Sequence, residues 1–216
     1  CAETMKCIEI PETVVILGPN HHGRGAPISL SKNTWEMPWG DVAIDTNFVS
    51  ILEDSDSEIK TDEFAHQYEH SLEVQVPFLR ALQDNVKIVP LVLAHLSYAM
   101  CEELADVLAD AIQRFAKPVL IVASSDMNHY ESRKTGSVKD RLALEELTAL
   151  NPYGLYTTVS TNDISMCGII PVTVALLVAI RLGADKADII RYSDSGDVSG
   201  DIDQVVGYAG AVIYRS

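Results

Sequence analysis

Asp126 and His129 stand three residues apart in the stretch VASSDMNHY, directly after an apolar run. If the segment turns helically, the two share a face, and the carboxylate can hydrogen-bond the imidazole. That pairing orients the ring and raises its basicity, as a general base requires. The simpler alternative is a Ser125 or Asp126 that only caps a helical turn. A second imidazole pair, His21-His22, follows the run VVIL and the turn Gly18-Pro19-Asn20. In an extended backbone neighbouring side chains alternate, so the two cannot both face one site. His21 is the one expected to point inward, with His22 behind it or in the loop. Cys167 precedes Gly168 at the start of a strongly apolar helical stretch. A helix amino terminus there would lower the thiol pKa and supply a thiolate that ligates a metal or attacks a substrate. Packing as a small hydrophobe is the usual alternative for a single cysteine. In EHSLE, Glu69, His70 and Glu73 would lie on one helical face, with a single histidine and therefore without the HExxH zinc pattern. Service behind the site or in packing suits them better, and His66 and His95 read as surface or packing histidines.

These residues need elements that bring them to one rim. Val14–Leu17, Val86–Leu93 and Val119–Ala123 are short apolar, largely β-branched runs that read as buried strands. Pro90 inside the second predicts an edge strand, a bulge or a strand end. Helices are predicted from Asp45 to about Leu52, along Tyr68–Leu82 with a break at Pro77, after a Ser97 cap through Phe115, over Val138–Leu150, over Pro152–Ser160 and from Cys167 to Leu182. The segment Asp41–Asn47 fits either a strand or an arm. Ile189–Tyr192 and Val205–Tyr214 close the chain as strands. Strands alternating with helices define an α/β layered domain, in which His21, Asp126 and His129 all follow the carboxyl ends of strands, where such folds gather ligands. The loop DSGDVSGDID lacks EF-hand spacing and reads as Asp- and Gly-rich turns.

The chain has 216 residues, with 16 Lys and Arg against 31 Asp and Glu and a formal charge of −15. That suits one domain with a sizeable core. The negative surface argues against nucleic acid and anionic membranes as partners. No run approaches the roughly 18–20 apolar residues that a membrane span needs. The four cysteines have no CxxC spacing, which predicts reduced thiols in a cytoplasmic protein. The opening CAETMKCIEIP reads as the end of a helix already under way, so an amino-terminal segment upstream of Cys1 is expected.

The stretches VVILGPNHH, EHSLEVQVPFL, VASSDMNHY, MCG at Met166–Gly168, YSDSGDVSGD and VVGYAGAV together resemble the Memo family, also known as AmmeMemoRadiSam system protein B. The resemblance covers nearly the whole chain and implies a single domain over residues 1–216. It implies a three-layer αβα sandwich around a central mixed β-sheet, similar to class III extradiol dioxygenases. It also implies a metal pocket in which His21 and Cys167 are ligands. Asp126 and His129 would line it as orienter and acid/base, and the residues' own pattern places His22, Glu69 and His70 behind it or at its rim. The family's other ligand histidine lies upstream of the first strand here. A thiolate in place of the dioxygenase carboxylate favours iron, copper or zinc over harder ions. The function implied is a metal-dependent oxidoreductase of unspecified substrate, working beside AMMECR-type and radical-SAM partners. The pocket would take a small molecule or a peptide. The alternatives are a non-catalytic protein- or peptide-binding module with a vestigial pocket, as in the signalling relatives of animals, and a zinc hydrolase.

Overall fold

Val14, Val15, Ile16 and Leu17 are wholly buried, which an extended chain achieves only when both faces of its sheet are covered. The computed structural model describes every residue except Asp56. A turn of helix at Ala2–Met5 (α1) leads to Thr13–Pro19 (β1), Ile28–Leu30 (β2), Thr46–Glu53 (α2), Lys60–Thr61 (β3) and Glu63–His66 (α3). A 3-10 turn at Glu73–Gln75 runs into Val76–Leu82 (α4), followed by Lys87–Leu93 (β4), Tyr98–Phe115 (α5) and Val119–Ala123 (β5). His129–Glu131 (β6), Arg133–Thr148 (α6), Pro152–Thr161 (α7), Ile169–Arg181 (α8), Lys186–Asp194 (β7), Gly196–Ser199 (α9) and Val205–Tyr214 (β8) complete the chain.

The strands form a five-stranded sheet in the order β3-β2-β4-β1-β5 and a three-stranded sheet in the order β6-β8-β7. β1 is parallel to both β4 and β5, and β2 is antiparallel to β4, so the larger sheet is mixed. The smaller one is antiparallel. Just past β5 the two sheets are tied together: Met127 N–H donates to Gly207 O at 2.8 Å, and Gly207 N–H donates to Asn128 O at 2.9 Å. A side chain at Gly207 would meet Asp140 of α6, whereas one at Gly210 would meet Thr4 of α1. Residues three apart on a strand point to opposite faces, so α6 and α1 cover opposite sides of β8. With helices on both faces of the layer formed by the mixed sheet and the smaller sheet tied to it, the fold is the αβα sandwich that the family resemblance implies.

α8 explains its own composition. Ile170, Val174, Leu177 and Val178 join the core of the larger sheet, while Val172 and Leu176 join a second core with Leu147 of α6 and Leu155 of α7. A helix serving two cores has little polar face left.

Three expectations need correction, and one open alternative is decided. Tyr68–Leu82 is not one helix: Glu69 and His70 lie in irregular chain, and regular helix begins only at Val76 with Pro77 in its first turn. Proline there costs no hydrogen bond, whereas deeper in a helix it would. β4 is not an edge strand despite Pro90. The N–H groups of Ile88 and residue 90 point to the same side of the strand, and Ile88 N–H donates to Ala43 O in the extended arm preceding α2. Pro90 falls between that contact and the pairing with β2, where only its carbonyl is used, by Ser31 N–H at 3.3 Å. The segment Asp41–Asn47 is such an arm, joined to the rest by isolated bridges of Val42 with Trp35 and of Ile44 with Ile88. α6 starts at Arg133, ahead of the expected Val138, because Ser132 caps it.

Asp45 ends the arm and is 5% exposed. Its carboxylate accepts from Phe48 N–H at 3.1 Å and from Thr13 Oγ1 at 2.7 Å, fastening α2 to β1. Asp45→Ala is expected to destabilise the protein by about 2 kcal/mol in urea unfolding, at the upper end for a helix cap because a buried hydroxyl also loses its acceptor.

Candidate metal centre

β1 and β5 run side by side, and Ser124 N–H still donates to Leu17 O at 2.8 Å as β5 ends. The irregular segment that follows carries Asp126, and His129 begins β6. The two are therefore not on a helical turn. A loop that ties the sheets together brings them close, with Asp126 Oδ2 3.7 Å from His129 Nε2. Cys167, just ahead of α8, comes in from the other side, and Asp126 N–H donates to its Sγ at 3.2 Å. One ligand atom each from Asp126, His129 and Cys167 all lie within 4.8 Å of one another.

Further contacts hold each donor. His129 N–H donates to Ser165 Oγ at 2.7 Å, and His129 Nδ1 stands 2.7 Å from Ser165 O. A carbonyl can only accept, so Nδ1 carries the proton and Nε2 keeps its lone pair toward Asp126 and Cys167. Cys167 is held by the start of α8. Gly168 N–H donates to Ser125 Oγ at 3.0 Å, and Ser125 Oγ donates to Asp126 O at 2.7 Å. Burial pushes the Cys167 thiol up, more than the hydrogen bond from Asp126 N–H and its other partners pull it down. This corrects the expectation of a lowered pKa: Cys167 lies before the first helical residue, in a site dry enough for desolvation to win. A bound cation reverses that balance by stabilising the thiolate.

The donor set fits a metal. Carboxylate, imidazole and thiolate atoms within 4.8 Å of one another can share one ion at the usual ligand distances of about 2.0–2.3 Å. The histidine tautomer leaves the required nitrogen free. The combination suits zinc, iron or copper better than a hard cation.

His21 is not a member of that cluster. It lies in the turn after β1, where Glu69 holds it twice: Oε2 accepts from His21 N–H at 2.7 Å, and Oε1 lies 2.9 Å from His21 Nδ1. His70 stacks on the same ring with centroids 5.5 Å apart. Burial works against ionising Glu69, but hydrogen bonds from the His21 ring, Ser71 N–H and His21 N–H outweigh it and bring the carboxyl down to about 2. Glu69 is thus an anion that fixes the His21 tautomer and leaves Nε2 free. His22 sits on the exposed rim, edge-on to Tyr68. Arg24 stacks over Tyr68 at 4.5 Å, and Arg133 is engaged by Asp194 and Asp197. His66 packs inward, its Nε2 3.0 Å from Ser29 O, while His95 is exposed. The Asp194–Asp203 segment is the end of β7, the single-turn helix α9 and a turn at Asp201, anchored on Arg133 through Asp194 and Asp197.

Sequence reasoning missed Ser165, which holds His129 by both backbone and ring, and Ser125, which joins Asp126 to Gly168. Their positions beside MCG and ahead of Asp126 are the only signal the sequence offers, since serine in a loop is unremarkable by type. Among the described residues, no helix is long and apolar enough to cross a membrane.

Residues 2–212 match the family described as Memo-like protein. A MEMO1 family protein of Saccharolobus solfataricus is 42% identical over 204 residues, covering 93% of this chain and 72% of that protein. One from Aquifex aeolicus is 42% identical over 213 residues, covering 97% and 78%, and one from Pyrobaculum aerophilum is 38% identical over 206 residues, covering 95% and 73%. The crystal structure of an uncharacterized protein from Escherichia coli K12 superposes with a TM-score of 0.56 at 14% identity, covering 96% of this chain and 88% of that one, which is a likeness of fold alone. With the family's match running almost from end to end of an αβα sandwich, this chain belongs to the Memo-like family.

Proposed function

We propose that this protein is a metal-dependent oxidoreductase of the dioxygenase type, with iron or copper held by Cys167, His129 and Asp126. The supporting observation is the convergence of their ligand atoms within 4.8 Å, with Nδ1 of His129 committed to Ser165 O. The family resemblance adds His21 to the same metal, and the Glu69 contact leaves its Nε2 available for that role. A bound iron or copper would supply one-electron redox chemistry at the site. The protein's own part is to hold the donors rigidly. The link through Ser125 places the thiol, and Ser165 and Glu69 orient the two imidazoles. The reading needs Cys167 as a free thiol, and the chain's cysteines are all free, which suits the reducing cytoplasm. Arg24 and Arg133, the arginines next to the motifs in sequence, are committed to Tyr68 and to Asp194 with Asp197. This disfavours an anionic peptide as the ligand and so favours the metal reading over the binding module.

Anaerobic loading with iron(II), copper(I) or zinc(II), followed by desalting and elemental analysis, tests the proposal. One equivalent of iron or copper is expected in the protein, and less than a tenth of that in Cys167→Ser, since losing a ligand costs more than the roughly 10-fold minimum for losing an outer hydrogen bond. Equal metal in both proteins would remove Cys167 from the site. Retention of zinc alone would move the assignment to a hydrolase.

A further inference from the structure

Asp140 of α6 is wholly buried, and the metal centre makes no direct use of it. Its two oxygens accept three hydrogen bonds, all from neutral donors. Oδ1 takes Asn128 N–H at 2.9 Å, while Oδ2 takes Asn128 Nδ2 at 2.6 Å and Tyr192 OH at 2.8 Å. Burial, and after it the contact with Asp140, push the Tyr192 hydroxyl up, so it stays a donor. Two of the three bonds go to one residue, which directly precedes His129 and follows Asp126 by two positions. A carboxylate that grips the backbone N–H and the side chain of one residue fixes its position and its rotation together.

Space is reserved for that grip. A Cβ at Gly136 of α6 would overlap the Asn128 amide, and one at Gly207 of β8 would overlap the Asp140 carboxylate and stand 3.0 Å from Asn128 Nδ2. Neither glycine has a positive φ, so room and not conformation requires them. The arrangement also has a cost. Asn128 Oδ1 is buried with no partner among the described residues, a penalty that an apolar residue serving only to pack would avoid. On the far side of His129, Tyr130 takes a φ of 60° and β6 shifts register between His129 and Glu131. A left-handed conformation is unfavourable for an aromatic residue and persists only where the surroundings hold it. We propose that Asp140 is a positioning residue of the candidate metal centre: by fastening Asn128 to α6 it sets the separation of Asp126 and His129, and so their ability to share an ion with Cys167. This rests on the reading of those three residues as metal ligands. A residue that only braced α6 against β7 would need the Tyr192 contact and neither bond to Asn128.

Cobalt(II) is the probe that tests this, because its visible spectrum reports ligand geometry and a thiolate-to-cobalt charge-transfer band reports Cys167. Asp140→Leu removes both acceptor oxygens at nearly constant volume. Gly136→Ala leaves Asp140 in place and displaces Asn128, at a helical position where alanine is intrinsically favoured. Both are expected to bind cobalt about 10–100-fold more weakly, the range for losing an outer contact of a metal site, and to show altered spectra. Tyr192→Phe removes only the third bond and is expected to keep the affinity and spectrum of the unaltered protein while its Tm falls. Should Asp140→Leu fail to fold, Gly136→Ala decides alone. Unchanged affinity and spectrum in the folded variants would overturn the positioning role and leave the metal centre standing. An effect of Tyr192→Phe as large as that of Asp140→Leu would overturn it too, by showing that Asp140 only braces α6 against β7. An unaltered protein that takes up no cobalt would overturn the metal reading itself, and the positioning role with it.

Discussion

Replacing Glu69 by alanine is expected to cost about 3 kcal/mol of stability and to loosen metal binding about 10–100-fold without touching the Asp126, His129 and Cys167 cluster. The Glu69 side chain is buried, and its two oxygens accept from His21 N–H, the His21 ring and Ser71 N–H at 2.7, 2.9 and 3.0 Å. Alanine leaves these donors facing a void, and the imidazole is freed to turn on its stacked neighbour His70. Glu69→Gln keeps the shape and discards the charge, which separates the two contributions. The carboxyl titrates near 2 in the folded protein against 4.5 ordinarily. A depressed folded value means that the ionised group stabilises fully above about pH 4.5, and that this stability fades as pH falls toward 2. Across that window the contribution amounts to about 3 kcal/mol. Urea unfolding of the metal-free protein and of Glu69→Gln should therefore differ most near neutral pH and converge in acid. A difference that persists unchanged near pH 2 would show that the carboxylate charge is not what holds His21.

Gly168→Ala is expected to damage the site as severely as removal of a ligand. Gly168 has an ordinary φ of −94°, so backbone conformation does not demand glycine. Space does: a Cβ there would overlap the Ser124 carbonyl oxygen and the Ser125 Cβ, and would stand 2.7 Å from Ser125 Oγ. The first of these is backbone at the end of β5 and cannot swing aside. The strand end must move away from α8, which breaks the Gly168 N–H contact to Ser125 Oγ and draws Cys167 off Asp126. Overpacking of this kind costs about 1–3 kcal/mol, a fall in Tm of roughly 5 °C for a chain of this size. Calorimetry and metal loading together test it. Loss of metal with only a modest fall in Tm is the expected pattern. Full metal loading would show that the contact between β5 and α8 does not position the thiol.

Local chemistry made much of this legible in the chain. The continuous apolar runs Val14–Leu17 and Val119–Ala123 read as strands and are strands, the first buried as expected and the second only half-buried, Ser97 caps α5, and the strongly apolar stretch after Gly168 is a helix shared between two cores. Asp126, His129 and Cys167 stand out by type and by their places at element ends, and the Memo motifs identify the family. Tertiary structure decided how these residues meet. Asp126 and His129 are close because a loop ties two sheets together at Met127 and Gly207, not because a helical turn does, and no local pattern encodes a contact across 80 residues. Cys167 has a raised thiol pKa because β5 and α8 bury it, which outweighs the nearby helix terminus. Pro90 belongs to an interior strand because its nitrogen falls in a gap between two partners from distant parts of the chain. Glu69 leaves the helix its spacing suggests because His21, 48 residues away, offers its backbone and ring as donors. Sequence by itself determined most of the long strands and helices and the kinds of side chain at their ends, but not the short strands β2, β3 and β6. The pairing of those ends depends on long-range packing and on satisfying buried hydrogen bonds, and only the folded chain resolves it.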